Sequence, residues 1–160
     1  CGASPSSSPT TTKSDPASTV TSSTTVADGQ IISAWLAAQK AFHDAALTSD
    51  PNAPELAATM VSPVLDSVRS NLAQLRAEGD IAKGPTDLGK PHISARGTAG
   101  TEVVSCIYDA EIGIVAKTGQ PVAGIAGQAA HELVTSVMQL TPDGWKQADQ
   151  TVEADKCANS

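Results

Sequence analysis

Three residues stand out in this chain of 160 residues as candidates for proton transfer within the predicted strands. Tyr108 and Asp109 are neighbours in a predicted strand, and His131 opens a later one. Because successive residues of a strand point to opposite faces, Tyr108 and Asp109 cannot share one pocket unless a bulge intervenes. If burial shifted its pKa towards neutrality, Asp109 or His131 would serve an isomerase or cyclase as general base. For all three residues we favour an ordinary role in a strand.

No familiar catalytic arrangement accompanies these residues in the sequence. A Ser-His-Asp order, GxSxG, HExxH and a glycine-rich phosphate loop are all absent from it. His43 lies on a predicted helix, where we expect it at the boundary or exposed, and His92 follows Pro91 near a loop. The pattern therefore favours binding over catalysis and indicates no cofactor.

Three cysteines offer a second kind of chemistry. Cys106 lies in a predicted strand and Cys157 follows the last one, but neither has a cysteine or histidine at the spacing of a metal site. In a cytosolic protein the two would be buried thiols, whereas in an exported protein an even pair in the folded part indicates a disulfide. Cys1 favours export, so we expect a Cys106–Cys157 disulfide.

The charge balance limits the partners of the chain. Asp and Glu number 17 against 10 Lys and Arg, a formal charge of -7, so no basic stripe exists to bind nucleic acid.

Aromatic residues make up only 2%, and the core must therefore be built mainly from Ala, Val, Ile and Leu. The large rings are Trp35, Phe42, Tyr108 and Trp145. Residues 119–130, the longest uncharged stretch, are too few and too broken by Pro and Gly to span a bilayer.

Two regions of different composition divide the chain. Residues 1–28 are dominated by Ser, Thr and Pro, and they cannot bury enough apolar surface to offset the entropy of ordering them. This composition predicts a disordered tether. In residues 29–160 the apolar residues are dense and periodic, which predicts a single domain.

Two helices are predicted at the start of this domain. The apolar residues of the first recur along one helical face, and they are Ile31, Trp35, Ala38, Phe42 and Ala45. We expect Thr25 or Asp28 to cap this helix and Asp50-Pro51 to end it.

A short turn at residues 54–60 is predicted before the second helix. Ser62 offers its cap, Pro63 its first residue and Gly79 its end.

Antiparallel strands are predicted after the helices. Residues 91–96 and 101–111 flank a Gly-Thr-Ala-Gly turn, and residues 130–141 and 145–153 flank Pro-Asp-Gly, so each pair is expected to form a hairpin. A looser segment at 112–125 separates the hairpins. Helices first and strands second indicate an α+β domain with a curved antiparallel sheet around its helices.

The first ten residues, CGASPSSSPT, resemble the mature end of bacterial lipoproteins. In these proteins a signal peptide is cleaved just before a cysteine that carries lipid on its sulfur and amine. The resemblance implies lipidation of Cys1, an extracytoplasmic location at the cell membrane, and a tether that holds the domain clear of the bilayer. The alternative is that the sequence merely happens to begin at a cysteine.

Residues 29–157 are similar to uncharacterised actinobacterial lipoproteins with the fold of nuclear transport factor two. The motifs that carry the resemblance are VVSCIYD at 103–109, KTGQPV at 117–122, DGWK at 143–146 and a cysteine near the end. The resemblance implies a cone-shaped sheet over the first helix, with Trp35, Phe42 and Tyr108 as candidates to line a ligand pocket or fill the core. Relatives of this fold hold a small apolar molecule in the cone, dimerise, or dock a partner, and fold alone does not choose among these uses.

Several functions therefore follow from the sequence as hypotheses. We favour a membrane-anchored, non-catalytic accessory domain that binds a small apolar ligand or docks a protein of the cell envelope. The alternatives are an isomerase or cyclase and a structural homodimer. An empty apolar cavity would favour the ligand carrier, a filled cone with an exposed apolar patch would favour docking, and a carboxylate or imidazole buried in the cavity would favour the enzyme.

Overall fold

The computed structural model describes residues 18–109, 113–116, 118–120, 122, 130–154 and 156–157. Three helices come first in this part of the chain: α1 (Ser18–Ala46), α2 (Pro54–Thr59) and α3 (Val64–Glu78). The strands that follow are β1 (Asp80–Lys83), β2 (Thr86–Asp87), β3 (His92–Gly97), β4 (Gly100–Asp109), β5 (Gly113–Ala116), β6 (Ala130–Thr141) and β7 (Gly144–Ala154). The segregation of helices and antiparallel strands confirms the α+β class.

Helix α1 is longer than predicted at its amino-terminal end. It begins at Ser18, so the prediction of a cap at Thr25 or Asp28 is wrong, and residues 18–28 of the predicted tether are helical. Asp28 instead forms an ion pair with Arg96 of β3. Once packing has fixed the later turns of a helix, further turns can be added by propagation, which costs little. Such turns need no buried face, so the pattern of apolar residues does not predict them. Cys1 and the rest of residues 1–17 lie outside the described residues.

The other helices differ from prediction in their starts. The segment predicted as a turn at 54–60 contains α2, which begins with Pro54, a residue tolerated in a first helical turn. Pro63 occupies the cap position of α3 in place of Ser62 and makes no side-chain cap hydrogen bond. Gly79 ends α3 in a left-handed conformation with φ 82°, as its sequence position predicts.

Within the described residues, the main sheet has five strands. β4 pairs with β6, which pairs with β7, and the other edge of β4 carries β3 near one end and β2 near the other. The β3–β4 and β6–β7 pairs confirm the two predicted hairpins. β1 and β5 form a separate two-stranded sheet that the sequence did not predict, and β5 lies in the segment read as looser.

A β-bulge interrupts the pairing of β6 with β7. Val137 pairs with Asp149 whereas Met138 pairs with Gln147, so Ala148 is an extra residue of β7. An extra residue bends a strand and changes its alternation of side chains. In a regular strand, two residues three positions apart point to opposite faces. Because of the bulge, the side chains of Gln147 and Gln150 instead contact each other on the face of β7 that lies against the helices.

Helix α1 joins two hydrophobic clusters. Its earlier turns, through Ile31 and Trp35, pack on the inner face of the sheet, which we define as the helix side. Its later turns pack on α2, α3 and β1. The buried residues of the predicted α1 face are Ile31, Trp35, Ala38 and Ala45, and Phe42 is half-buried. No helix in the described ranges has both the length and the apolar character needed to cross a membrane.

Candidate functional site

A cavity of about 230 Å³ lies between α1 and the inner face of the sheet, where the two hydrophobic clusters meet. Its apolar walls are Phe42 of α1, Leu88, Ile107 of β4, Val134 of β6 and Val152 of β7. The remaining lining residues are Gln39, Lys40, His43, Thr86, Glu132 and Gln150. Since a cavity of about 150 Å³ accommodates benzene, this cavity fits a ring with one substituent.

A second recess of about 210 Å³ adjoins the cavity on the side of α3. It is lined by Met60, Val64, Ser67, Val68 and Asn71, together with Gln147. Four residues line both spaces: Gln39, Phe42, Gln150 and Val152. The boundary between the spaces is therefore formed by two apolar side chains and two carboxamides.

Three glutamines form a hydrogen-bonded cluster at this boundary. Nε2 of Gln39 donates to Oε1 of Gln147 at 3.0 Å and to Oε1 of Gln150 at 3.4 Å. Nε2 of Gln147 donates to Oε1 of Gln150 at 2.6 Å. Gln147 is fully buried and Gln39 is 8% exposed. The bulge in β7 brings two of these side chains to α1, which supplies the third.

Three ionisable side chains also line the cavity, and none of them is fully buried. Lys40 is exposed and forms an ion pair with Asp44, one turn further along α1. His43 and Glu132 are half-buried. In the part of the chain that the structure describes, no group of three or more His, Cys, Asp or Glu residues is placed to hold a metal ion.

Of the three predicted pocket residues, only Phe42 lines the cavity. Trp35 is fully buried in the core, and its Nε1 donates to Oγ of Ser136 at 2.9 Å. Tyr108 is 40% exposed, because its neighbour Ile107 occupies the inner face and strand alternation turns Tyr108 outward. Trp35 and Tyr108 therefore do not line this cavity, and Tyr108 lies instead at a recess on the outer face of the sheet, together with His131.

The candidate general bases are not gathered at the cavity. His131 is exposed on the outer face of the sheet, opposite the helices, and its ring centroid lies 4.6 Å from that of Tyr108. Asp109 pairs through its backbone with Thr86, and its side chain lies outside the described part of the structure. A role for His131 or Tyr108 as a base towards a molecule in the cavity is therefore excluded by their position.

Cys106 and Cys157 form a disulfide, the pairing expected from the sequence. Their Sγ atoms are 2.05 Å apart and their Cα atoms 5.6 Å apart. The bond joins the end of the described chain to β4, the strand that pairs with β2, β3 and β6.

The glutamine cluster is the part of the site that the sequence analysis missed. Gln39 follows Trp35 by four residues, so a polar residue stands on the predicted buried face of α1, and this was an available signal. No local pattern indicates the bulge, and in a regular strand Gln147 and Gln150 would point to opposite faces.

Comparison of the chain with known protein families and with curated proteins gives no match. The cavity and its lining residues are therefore the basis for a functional assignment.

Proposed function

We propose that this chain is a non-catalytic binding domain that holds a small, mostly apolar molecule between α1 and the sheet. The cavity of about 230 Å³ carries this proposal. Its walls include Phe42, Ile107 and Val134, with a few fixed polar groups beside them. Ligand sites commonly combine apolar walls, which supply affinity, with a small number of polar groups that fix orientation.

The polar groups at the boundary cannot transfer a proton, and the imidazole and carboxylate of the cavity lining, His43 and Glu132, are half-buried rather than enclosed. Carboxamides donate and accept hydrogen bonds, but they are not ionisable and so cannot serve as a general acid or base. Gln39, Gln147 and Gln150 can therefore orient a molecule without removing a proton from it.

The proposed fold family is that of nuclear transport factor two, to which the sequence motifs are similar. Support comes from the long helix α1 packed on the inner face of an antiparallel sheet, with a cavity between them. The bulge at Ala148 adds support because bulges bend strands and help sheets to curve around a core.

The proposed location is extracytoplasmic, with the domain anchored to the membrane through lipid on Cys1. The Cys106–Cys157 disulfide supports export because disulfides persist in oxidising compartments and are rare in the cytosol. The resemblance of the first residues to lipoproteins supports the anchor. One acyl chain binds membranes only marginally, so two or more chains would be needed for stable anchoring.

Metabolic labelling tests the anchor directly. In its native host, the wild-type protein is expected to incorporate azido-palmitate and to fractionate with membranes. Cys1→Ser is expected to abolish both because the acceptor sulfur is lost, whereas Ser4→Ala should retain both. A wild-type protein that stays unlabelled would contradict the anchor while leaving the binding proposal intact.

Filling the cavity tests the binding function. Toluene is expected to cause saturable NMR shifts of the Leu88, Ile107 and Val134 methyl groups in the wild type. Val152→Phe should weaken toluene binding at least tenfold, a loss of about 1.4 kcal/mol, because the ring occupies the ligand's space. Thr151→Phe is the matched control, since the same ring is added on the opposite face of β7.

The two variants together decide the result. Binding unchanged in Thr151→Phe and lost in Val152→Phe supports the site. Shifts that never saturate in the wild type, or equal losses in both variants, would refute it.

A further inference from the structure

We propose that the ligand carries one neutral, amide-like group, with a hydrogen-bond acceptor and a donor side by side, on a small apolar body. Carboxamides and lactams belong to this class. The inference rests on the proposed binding function and adds to it the chemistry of the ligand's polar end.

The glutamine cluster leaves one donor group and one acceptor unused. Each carboxamide has two N–H donors and one carbonyl acceptor. The three hydrogen bonds of the cluster are all accepted by Oε1 of Gln147 or Oε1 of Gln150. Among the hydrogen bonds of the described residues, none uses Oε1 of Gln39 or Nε2 of Gln150 as a partner.

Neither of these two atoms is fully enclosed by protein. In the described part of the chain, Arg69 Nε is the one fully enclosed side-chain nitrogen or oxygen without a partner, so neither glutamine atom is sealed within protein. Gln39 and Gln150 line both the cavity and the adjoining recess. A molecule bound in the cavity would therefore lie against the two side chains that carry the open acceptor and the open donor.

The surrounding contacts hold the cluster in place. Gln147 is fully buried, and its backbone oxygen accepts a 2.9 Å hydrogen bond from the backbone N–H of Val61. Gln39 belongs to α1 and is more than nine-tenths buried. Polar groups fixed in this way lose little freedom on binding, which favours a ligand whose own groups match them.

A neutral group matches this site better than a charged one. A carboxylate would accept from Nε2 of Gln150, but it would also lie against the carbonyl of Gln39 in a cavity lined by Glu132. An ammonium group would meet the carbonyl of Gln39, yet it would lie against the N–H groups of Gln150. The cavity lining holds one cation, Lys40, which already pairs with Asp44, and one anion, Glu132. Either charged end group would meet a like charge as well as an opposite one, so little electrostatic gain would offset its desolvation. An amide presents its carbonyl to Gln150 and its N–H to Gln39, so both pairings are made.

The size of the cavity sets the size of the apolar body. A space of about 230 Å³ exceeds the benzene-sized cavity of about 150 Å³ by roughly one polar substituent. Benzamide is therefore a suitable probe. Benzoate, benzylamine and toluene share its ring and differ only at the polar end.

Calorimetric titration of the wild-type protein with these four compounds tests the inference. Benzamide is expected to bind at least tenfold more tightly than each of the other three. A site built to hydrogen-bond a ligand discriminates strongly against analogues that leave its polar groups unpaired.

A charge-changing variant of Gln150 tests whether its open donor causes the preference for benzamide. Gln150→Glu keeps the oxygen that accepts from Gln39 and Gln147 but replaces the N–H donors by a second oxygen. Because the donor is lost, the variant should lower the ratio of benzamide affinity to toluene affinity at least tenfold. Gln139→Glu makes the same change at an exposed position of β6 and should alter neither affinity.

The outcomes separate this inference from the function on which it rests. If toluene or benzoate binds as tightly as benzamide, the amide preference is refuted and the apolar binding site stands. If none of the four compounds binds saturably, both proposals fail. Should Gln150→Glu fail to fold, the wild-type series alone still decides between these results.

Discussion

Replacing both Cys106 and Cys157 with alanine is expected to lower the free energy of unfolding by about 4 kcal/mol. The disulfide joins residues separated by 51 positions, and closing a loop of that length removes conformational entropy from the unfolded chain. Because domains of this size are stable by only about 5–15 kcal/mol, the loss is a large share of the total. Urea denaturation followed by tryptophan fluorescence measures it.

Reductant and a third cysteine provide the controls for this experiment. Dithiothreitol should destabilise the wild type by a similar amount and leave the double variant unaffected. Cys1→Ala removes a cysteine without touching the bridge and should not change the unfolding free energy. Two titratable thiols at positions 106 and 157 in the native protein, or a double variant within about 1 kcal/mol of the wild type, would contradict the expectation.

The hairpins were predictable because their information is local. The Pro-Asp-Gly turn between β6 and β7 places Gly144 at φ 108°, a conformation that glycine adopts without strain. Strand-forming residues on each side then fix the pairing, and the same logic applies to β3 and β4. The predicted face of α1 was equally local, since an apolar stripe needs only the helical repeat.

The pairing of β1 with β5 could not be predicted from the sequence, because it depends on contacts between distant parts of the chain. Each strand has only four residues, and Asp80 pairs with Ala116 across a long stretch of chain. Propensity within so short a segment does not indicate its partner, because strand pairing depends on packing and context. The same holds for Met60, which meets β7 beside the bulge through an isolated bridge to Gln147.

For the candidate site, the sequence predicts which strand residues share a face of the sheet but not which face lines the cavity. Alternation correctly separates neighbouring strand residues onto two faces, but it does not say which face is inner. The burial of Val103 and Ile107 against α1 decides this, and it sends Tyr108 outward. Phe42 packs against the hydrophobic cluster of the three helices and also lines the cavity, whereas Trp35 belongs to the cluster on the sheet. One shared helical face does not reveal this difference.

Trp35→Ala is expected to lower the free energy of unfolding by about 4–5 kcal/mol. Trp35 is fully buried, and removal of a buried aromatic side chain costs about 3–5 kcal/mol through lost contacts and the cavity left behind. The buried hydroxyl of Ser136 also loses its partner. Trp145→Ala is the matched control: Trp145 is half-buried, so about 2 kcal/mol is expected from urea denaturation.

Trp35→Phe separates a core role from a ligand-binding role. The phenyl ring keeps part of the packing but cannot donate to Ser136, so the unfolding free energy should fall by about 1–3 kcal/mol. Toluene affinity should stay within twofold of the wild type, because Trp35 does not line the cavity. Phe42→Ala should change that affinity several-fold, since its ring lies on the boundary of both recesses. A Trp35→Phe protein of unchanged stability but tenfold weaker toluene binding would instead make Trp35 part of the ligand site.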